Sequence, residues 1–333
     1  MRRGQCYIKF TAGGKVATTF NQQFDQHGAW RREFTLRLRQ LGDWMKAHEL
    51  LDAGLEERLH SLEVQVRADK VMVAFVAEFS RGKSELINAM FFAGYGRRIM
   101  PASAGRTTMC PTELGYDPGV PPCLRLLPIE SRLQSQALME WRMVPEKWTR
   151  IDLDVNDAAQ LAGALEKVSE TLRVSPEEAR ALGFWHDDAP GENPVLDAHG
   201  MVEVPKWRHA LINMAHPLLK QGLIVLDTPG LNAIGAEPEL TVNLIPQAQA
   251  AIFVLAADTG VTKSDLAIWR EHLATQTDLT ASRLVVLNKI DTLWDALSTP
   301  EQVNAQIERQ RATTADILGI PESQVFPVSA QKG

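Results

Sequence analysis

Val71-Met72-Val73-Ala74-Phe75-Val76 leads into Ala77-Glu78-Phe79-Ser80-Arg81-Gly82-Lys83-Ser84, and Glu85-Leu86-Ile87-Asn88 follows. The first six residues are apolar and rich in β-branched side chains, the composition of a strand buried on both faces. A short polar turn comes next, then residues suited to opening a helix. Strand, loop, Gly-Lys-Ser and helix together make a phosphate-binding loop. Its backbone N–H groups and the helix N-terminus face the phosphates, Lys83 neutralises their charge, and the Ser84 hydroxyl holds Mg²⁺. The usual pattern opens with Gly, whereas Ala77 stands here; its methyl group fits only a backbone that avoids positive φ. Because Gly-Lys-Ser alone arises by chance, the assignment rests on its flanks and on motifs downstream.

Upstream of this loop, Trp30, Phe34, Leu38, Leu41 and Met45 recur at helical spacing, and Leu51, Leu55, Leu59, Leu62 and Val66 repeat the pattern. Gly42 and Gly54 are candidate interruptions, so residues 28–67 read as one bent helix or two. Residues 1–27, with Gly13-Gly14 and several Gln, Thr and Asn, read as a flexible leader. Downstream, Leu223–Leu226, Ala251–Leu255, Leu284–Leu287 and Val325–Val328 read as strands, with helices at Lys263–Thr275 and Glu301–Leu318 between them. Strands alternating with helices predict a doubly wound, mostly parallel sheet with ligands at the strand C-terminal ends. Residues 117–215 form a long insertion. Within it Leu124–Leu126 and Ile151–Val155 read as strands, Asp157–Arg173 as helix, Ser175-Pro176-Glu177-Glu178 as a capped helix start, and Phe184–Gly200 as loop.

The totals of the 333-residue chain, 45% hydrophobic and 23% charged, are those of a globular protein. The net charge of −6 argues against nucleic acid as a general partner. Residues 1–40 carry a net +6, either a solvated basic segment or a surface able to touch anionic lipid. Three scattered cysteines make no disulfide framework, so a reducing compartment fits. The start lacks a secretory h-region, and no run is long enough to span a bilayer. The expected location is cytoplasmic, with peripheral membrane attachment as an option.

Two later motifs sit directly after strands. Asp227-Thr228-Pro229-Gly230 places an acid where Mg²⁺ coordination is useful and a Gly where the backbone can approach a γ-phosphate. In Asn288-Lys289-Ile290-Asp291, the carboxylate can accept from the N1–H and amino group of guanine, a donor pair that adenine lacks. The stem of Lys289 can lie along the base, and Ser329-Ala330 offers the turn whose N–H meets the guanine carbonyl. His186-Asp187-Asp188 and His199 lack metal-ligand spacing and read as polar loop. The ordered motifs indicate GTP binding.

Val76–Ala89, Arg106-Thr107-Thr108-Met109-Cys110-Pro111-Thr112 and Leu226–Leu231 resemble the dynamin superfamily, particularly its bacterial members, over about residues 68–333. The resemblance implies a three-layer α/β P-loop G domain with a mostly parallel sheet, preceded by a neck- or bundle-like helical segment. Here the domain also carries an α+β insertion. It implies Mg²⁺-dependent hydrolysis of GTP, homodimerisation through the G domain without an external activator, and a stalk that remodels membranes. By the same resemblance, Ser80 helps position a monovalent cation near the β- and γ-phosphates. Lys83 contacts phosphate, while Ser84, Asp227 and Thr108 serve Mg²⁺. Thr108 also orients the attacking water, with Thr107 as the alternative register. Gly230 senses the γ-phosphate. Ala77, Glu78, Phe79, Ser80, Arg81, Gly82, Lys83 and Ser84 surround the phosphates, and Asn288, Lys289, Asp291, Ser329 and Ala330 surround the base. No Gln follows Gly230 to position water. Arg81 is either a finger in cis or, the preferred reading, a solvent-facing loop residue. The chain stops at Gly333 on the guanine loop, so a truncated domain without its closing helix and stalk is expected. Rival readings are an Era-like GTPase of ribosome or RNA maturation, and a non-catalytic GTP-binding interaction module.

Overall fold

The computed structural model describes residues 13–67, 70–101, 110–134, 136–187, 193–230, 244–274, 283–294 and 298–332. The chain divides into two compact units, Met1–Lys70 and Val71–Gly333.

The first unit is a helical pair, α1 (Gly13–Ala47) and α2 (Ala53–Arg67). The helix therefore begins inside the stretch read as a flexible leader: once the periodic segment has nucleated, each added residue closes one more backbone hydrogen bond. Gly42 does not break α1. It faces α2, where a Cβ would make ordinary van der Waals contact with Leu59 Cδ1 at 3.7 Å. The break falls at 48–52, where Glu49 takes a left-handed φ of 56° and the Leu50 N–H reaches back to the Met45 carbonyl at 2.9 Å. Asp52 Oδ1 then accepts from the Leu55 N–H at 2.7 Å and starts α2. Trp30 and Phe34 stack at 5.2 Å and remain exposed.

The second unit contains, in chain order, β1 (Val71–Ala77), α3 (Lys83–Phe91), β2 (Thr112–Gly115), β3 (Cys123–Pro128), α4 (Leu138–Trp141), β4 (Thr149–Asp152), α5 (Ala158–Glu166), β5 (Thr171–Val174), α6 (Pro176–Ala181), β6 (Val202–Pro205), β7 (Trp207–Asn213), α7 (Pro217–Lys220), β8 (Leu223–Asp227), β9 (Ala250–Ala256), α8 (Lys263–Ile268), β10 (Arg283–Asn288), α9 (Pro300–Leu318) and β11 (Val325–Pro327). Among the described residues, nine strands form one sheet in the order β11-β10-β9-β1-β8-β2-β7-β3-β4. From β11 to β8 every pair is parallel; β2 runs against β8, β7 lies parallel to β2, and β3 and β4 close the edge antiparallel.

The apolar run of β1 is explained by this position. Phe75 and Ala77 face one core, with Leu86, Ile87 and Phe91 of α3 and Leu161 and Leu165 of α5. Ala74 and Val76 face the other, with Ile268 of α8 and Ala315 and Leu318 of α9. Each fully buried Phe or Val stabilises the fold by about 1.5–3 kcal/mol.

The insertion is more strand-rich than its sequence indicates. β7, β3 and β4 extend the main sheet, while β5 and β6 form a separate antiparallel pair. The stretch read as one helix to Arg173 ends as α5 at Glu166, and Thr171–Val174 instead pairs with Val202–Pro205. That partner lies some thirty residues on, beyond the reach of a local pattern. The capped start at Ser175 holds: Ser175 Oγ accepts from the Glu178 N–H and Glu178 accepts from the Ser175 N–H.

Candidate nucleotide-binding site

The loop 78–82 leaves the C-terminal end of β1 and delivers Lys83 and Ser84 to the first turn of α3. Two of its residues have left-handed backbones, Ser80 at φ 65° and Gly82 at φ 84°. Gly82 is required there twice over, by its φ and by its neighbour: a Cβ would lie 2.3 Å from Asn288 Nδ2. Ala77 lies within β1, in extended backbone and fully buried, so its methyl group is accommodated at the position where the pattern usually has Gly. Phe79 is exposed.

β8 lies beside β1 and ends at Asp227, in register with Phe75. Thr228 Oγ1 donates to the Phe75 carbonyl at 2.7 Å, and Gly230 passes so close to the loop that a Cβ would be 3.3 Å from the Phe79 nitrogen. Lys83 Nζ is ion-paired with Asp227 Oδ1, both largely buried. Lys83, the strand-end Asp227 and Gly230 thus all lie against the loop that leaves β1.

The base-side motif joins the same place through Asn288. Its amide donates to the carbonyls of Arg81 (3.2 Å) and Gly82 (3.3 Å), and its Oδ1 accepts from the Ala330 N–H at 3.1 Å. Lys289 has a left-handed φ of 62°, and its Nζ meets Asp258 Oδ2 at 3.2 Å. Ser329 Oγ donates to Asp291 Oδ1 at 2.6 Å, which orients the carboxylate. Thr107 and Thr108 lie outside the described residues.

A Mg²⁺ ion fits the donor chemistry on offer. Ser84 and Asp227 supply hard oxygens. Among the described residues no group of three or more His, Cys, Asp or Glu could hold a metal, so an ion here would take its remaining ligands from phosphate and water.

Arg81 corrects the sequence reading. Rather than facing solvent, its side chain is buried; Nε and Nη2 form a fork on Asp265 (3.1 and 2.7 Å), Nη2 also meets Glu78 at 2.5 Å, and Nη1 donates to Thr259 at 2.7 Å. Glu78, expected at the phosphates, is turned to Arg81 and to Ser264 Oγ at 2.7 Å. Sequence reasoning also missed Asn88, buried one turn after Ser84. Its amide donates to the Ser84 and Met100 carbonyls, and its Oδ1 accepts from the Ile99 and Met100 N–H groups, all at 2.9 Å. The signal for Asp265 was local: Thr262-x-x-Asp265 is a capping box, and both halves form.

Fold and site define a P-loop G domain. The model of the Dynamin family matches residues 73–290, and the chain belongs to that family, carrying its GTPase domain. Rat mitofusin-2 is 25% identical over 335 residues, covering 97% of this chain and 36% of that one. A probable transmembrane GTPase, FZO-like, of Arabidopsis thaliana chloroplasts is 32% identical over 117 residues, covering 34% of this chain and 12% of its own. This chain therefore spans about a third or less of these relatives' lengths. Among solved structures, an oligomerised bacterial dynamin pair described as sensing and tethering membranes has a TM-score of 0.48 and 15% identity, with 93% of this chain and 39% of that one covered. The LeoA bacterial dynamin GTPase of ETEC has a TM-score of 0.45 and 14% identity, covering 92% of this chain and 38% of that one.

Proposed function

We propose that this domain binds GTP with Mg²⁺ and hydrolyses it to GDP and phosphate, in a cycle coupled to homodimerisation through the G domain and to membrane remodelling. The observation that carries the reading is Asn288, whose one amide group ties the phosphate loop, the base motif and the Ser329-Ala330 turn together. A ligand long enough to touch both ends, with phosphates at Lys83 and a guanine at Asp291, fits that construction. Asp291 rejects adenine because the carboxylate would be left without its donor pair. On binding, Lys83 exchanges Asp227 for phosphate, and Ser84, Asp227 and Thr108 are the residues that would hold Mg²⁺. The ion would neutralise charge that develops on the phosphate oxygens. The protein's own part is positioning: Thr108 (or Thr107) orients water, Gly230 approaches the γ-phosphate, and Ser80 helps seat a monovalent cation. Dimerisation and membrane work rest on family membership. Among the described residues no helix is long and apolar enough to cross a membrane, and anionic lipid at the basic first forty residues is the proposed contact.

Thr108→Ala tests the catalytic reading. It is expected to retain GTP binding and to lose turnover by at least about a hundredfold, the scale of removing one transition-state contact. An unchanged rate would take the water-orienting role from Thr108 and leave it to Thr107, whereas wild type that binds GTP without turnover favours the non-catalytic module.

A further inference from the structure

Lys289 on the base side and Ser80 on the phosphate side are both non-glycine residues in left-handed backbone, a conformation that persists only where the surroundings over-determine it. The supports of the two meet in one turn, residues 256–265. Arg81, next to Ser80, is held there by Thr259, Thr262 and Asp265. Asp258, in the same turn, holds Lys289 Nζ.

The turn is itself stiff. The Thr259 and Gly260 N–H groups return to the Ala256 carbonyl at 3.2 and 3.0 Å, and the Ala257 N–H donates to the Asn288 carbonyl at 2.8 Å. Asp265 is fully buried and caps α8 while it accepts the guanidinium fork. Glu78 closes the arrangement by accepting from both Arg81 and Ser264. An arginine whose charge is balanced by two carboxylates within the protein is unsuited to serve as a finger on a phosphate. Its planar fork suits a fixed strut, which a lysine cannot reproduce.

We propose that Arg81, clamped by Glu78 and Asp265, is a positioning residue that couples the phosphate loop to Lys289 through the turn 258–265, so that phosphate and base are gripped as one unit. The inference rests on the GTP reading above and adds a mechanical link to it. Arg81 and Asp258 share no hydrogen bond, so on independent sites their substitutions would multiply in effect. On a common strut they do not: once Arg81 lets the turn go, Asp258 no longer holds Lys289 in place.

The test is a double-mutant cycle on the 333-residue chain, read as the dissociation constant of a fluorescent GTP analogue. Arg81→Lys is expected to weaken binding about tenfold and Asp258→Asn about threefold, and the pair together still only about tenfold. A second cycle with Glu78→Gln, which keeps the side-chain shape, decides the matter if Arg81→Lys does not fold; it too is expected to fall short of the product. Multiplicative effects in the cycle that can be read, or an Arg81→Lys within twofold of wild type, would overturn the coupling while leaving GTP binding intact. Wild-type chain that binds no GTP would overturn both the functional reading and this one. A loss of fold stability alone lowers the active fraction and leaves the affinity of the folded molecules unchanged, so it cannot produce sub-multiplicative affinities.

Discussion

Replacing Gly82 by Ala probes the join between the two halves of the site. The backbone at Gly82 has φ 84°, where an L-residue costs about 1–2 kcal/mol. The new Cβ would also arrive 2.3 Å from Asn288 Nδ2, so the amide must move. Three hydrogen bonds go with it, those to the Arg81 and Gly82 carbonyls and from the Ala330 N–H. At about 0.5–1.5 kcal/mol each, counted without full additivity, they bring the total to about 3–5 kcal/mol. Expressed in binding, that is a loss of GTP affinity of about a hundred- to several-thousandfold. The matched control is Gly94→Ala, where a Cβ meets nothing within 4 Å and φ is not positive. Titration with a fluorescent GTP analogue, alongside thermal melting, separates affinity from stability. Gly82→Ala within about threefold of the Gly94→Ala control would refute the view that this glycine and Asn288 hold the site together.

Elsewhere, Glu113→Gln should destabilise the domain by about 3 kcal/mol or more, because it leaves the buried Glu113–His209–Arg142 group without its carboxylate. Burial alone would raise the Glu113 carboxyl, but the hydrogen bond and charge of His209, with Arg142, outweigh it and the net shift is downward from 4.5. Its contribution is therefore complete above about pH 4.5 and lost as pH falls through the lower folded value; acid unfolding of the glutamine variant should lack that limb, and an unchanged acid profile would count against the reading. Asn88→Ala removes four side-chain hydrogen bonds to the backbone and should cost about 3 kcal/mol, a melting shift of about 6–12 °C; a shift under about 3 °C would contradict it. Asp291→Asn should narrow the preference for GTP over ITP, which lacks the exocyclic amino group, by about tenfold or more; an unchanged ratio would remove Asp291 from base reading.

Legibility from sequence followed the range of the interactions. β1, β8, β9 and β10 were readable because strands buried on both faces carry uninterrupted apolar runs. The Gly82-Lys83-Ser84, Asp227–Gly230 and Asn288–Asp291 motifs were readable because each is local. β7 was not: it sets Arg208 and His209 near the start of a buried strand, and their partners, Ser131 and Glu113, come from far along the chain. β5 passed for helix because its strand partner is equally remote. Arg81 shows the same limit inside the site, since Asp265 stands 184 positions away and nothing near Arg81 announces it. In the helical unit, glycine misled: the chain breaks at Glu49, where a left-handed residue ends α1, whereas Gly42 stays inside the helix and faces Leu59.

The most direct measurement is phosphate release from GTP as a function of protein concentration, with ATP run in parallel and Mg²⁺ present. GTP-specific turnover is expected, with a rate per molecule that rises with concentration, as dimerising G domains would give, and no turnover of ATP. Hydrolysis of both nucleotides at similar rates, or GTP bound with none hydrolysed at any concentration, would contradict it.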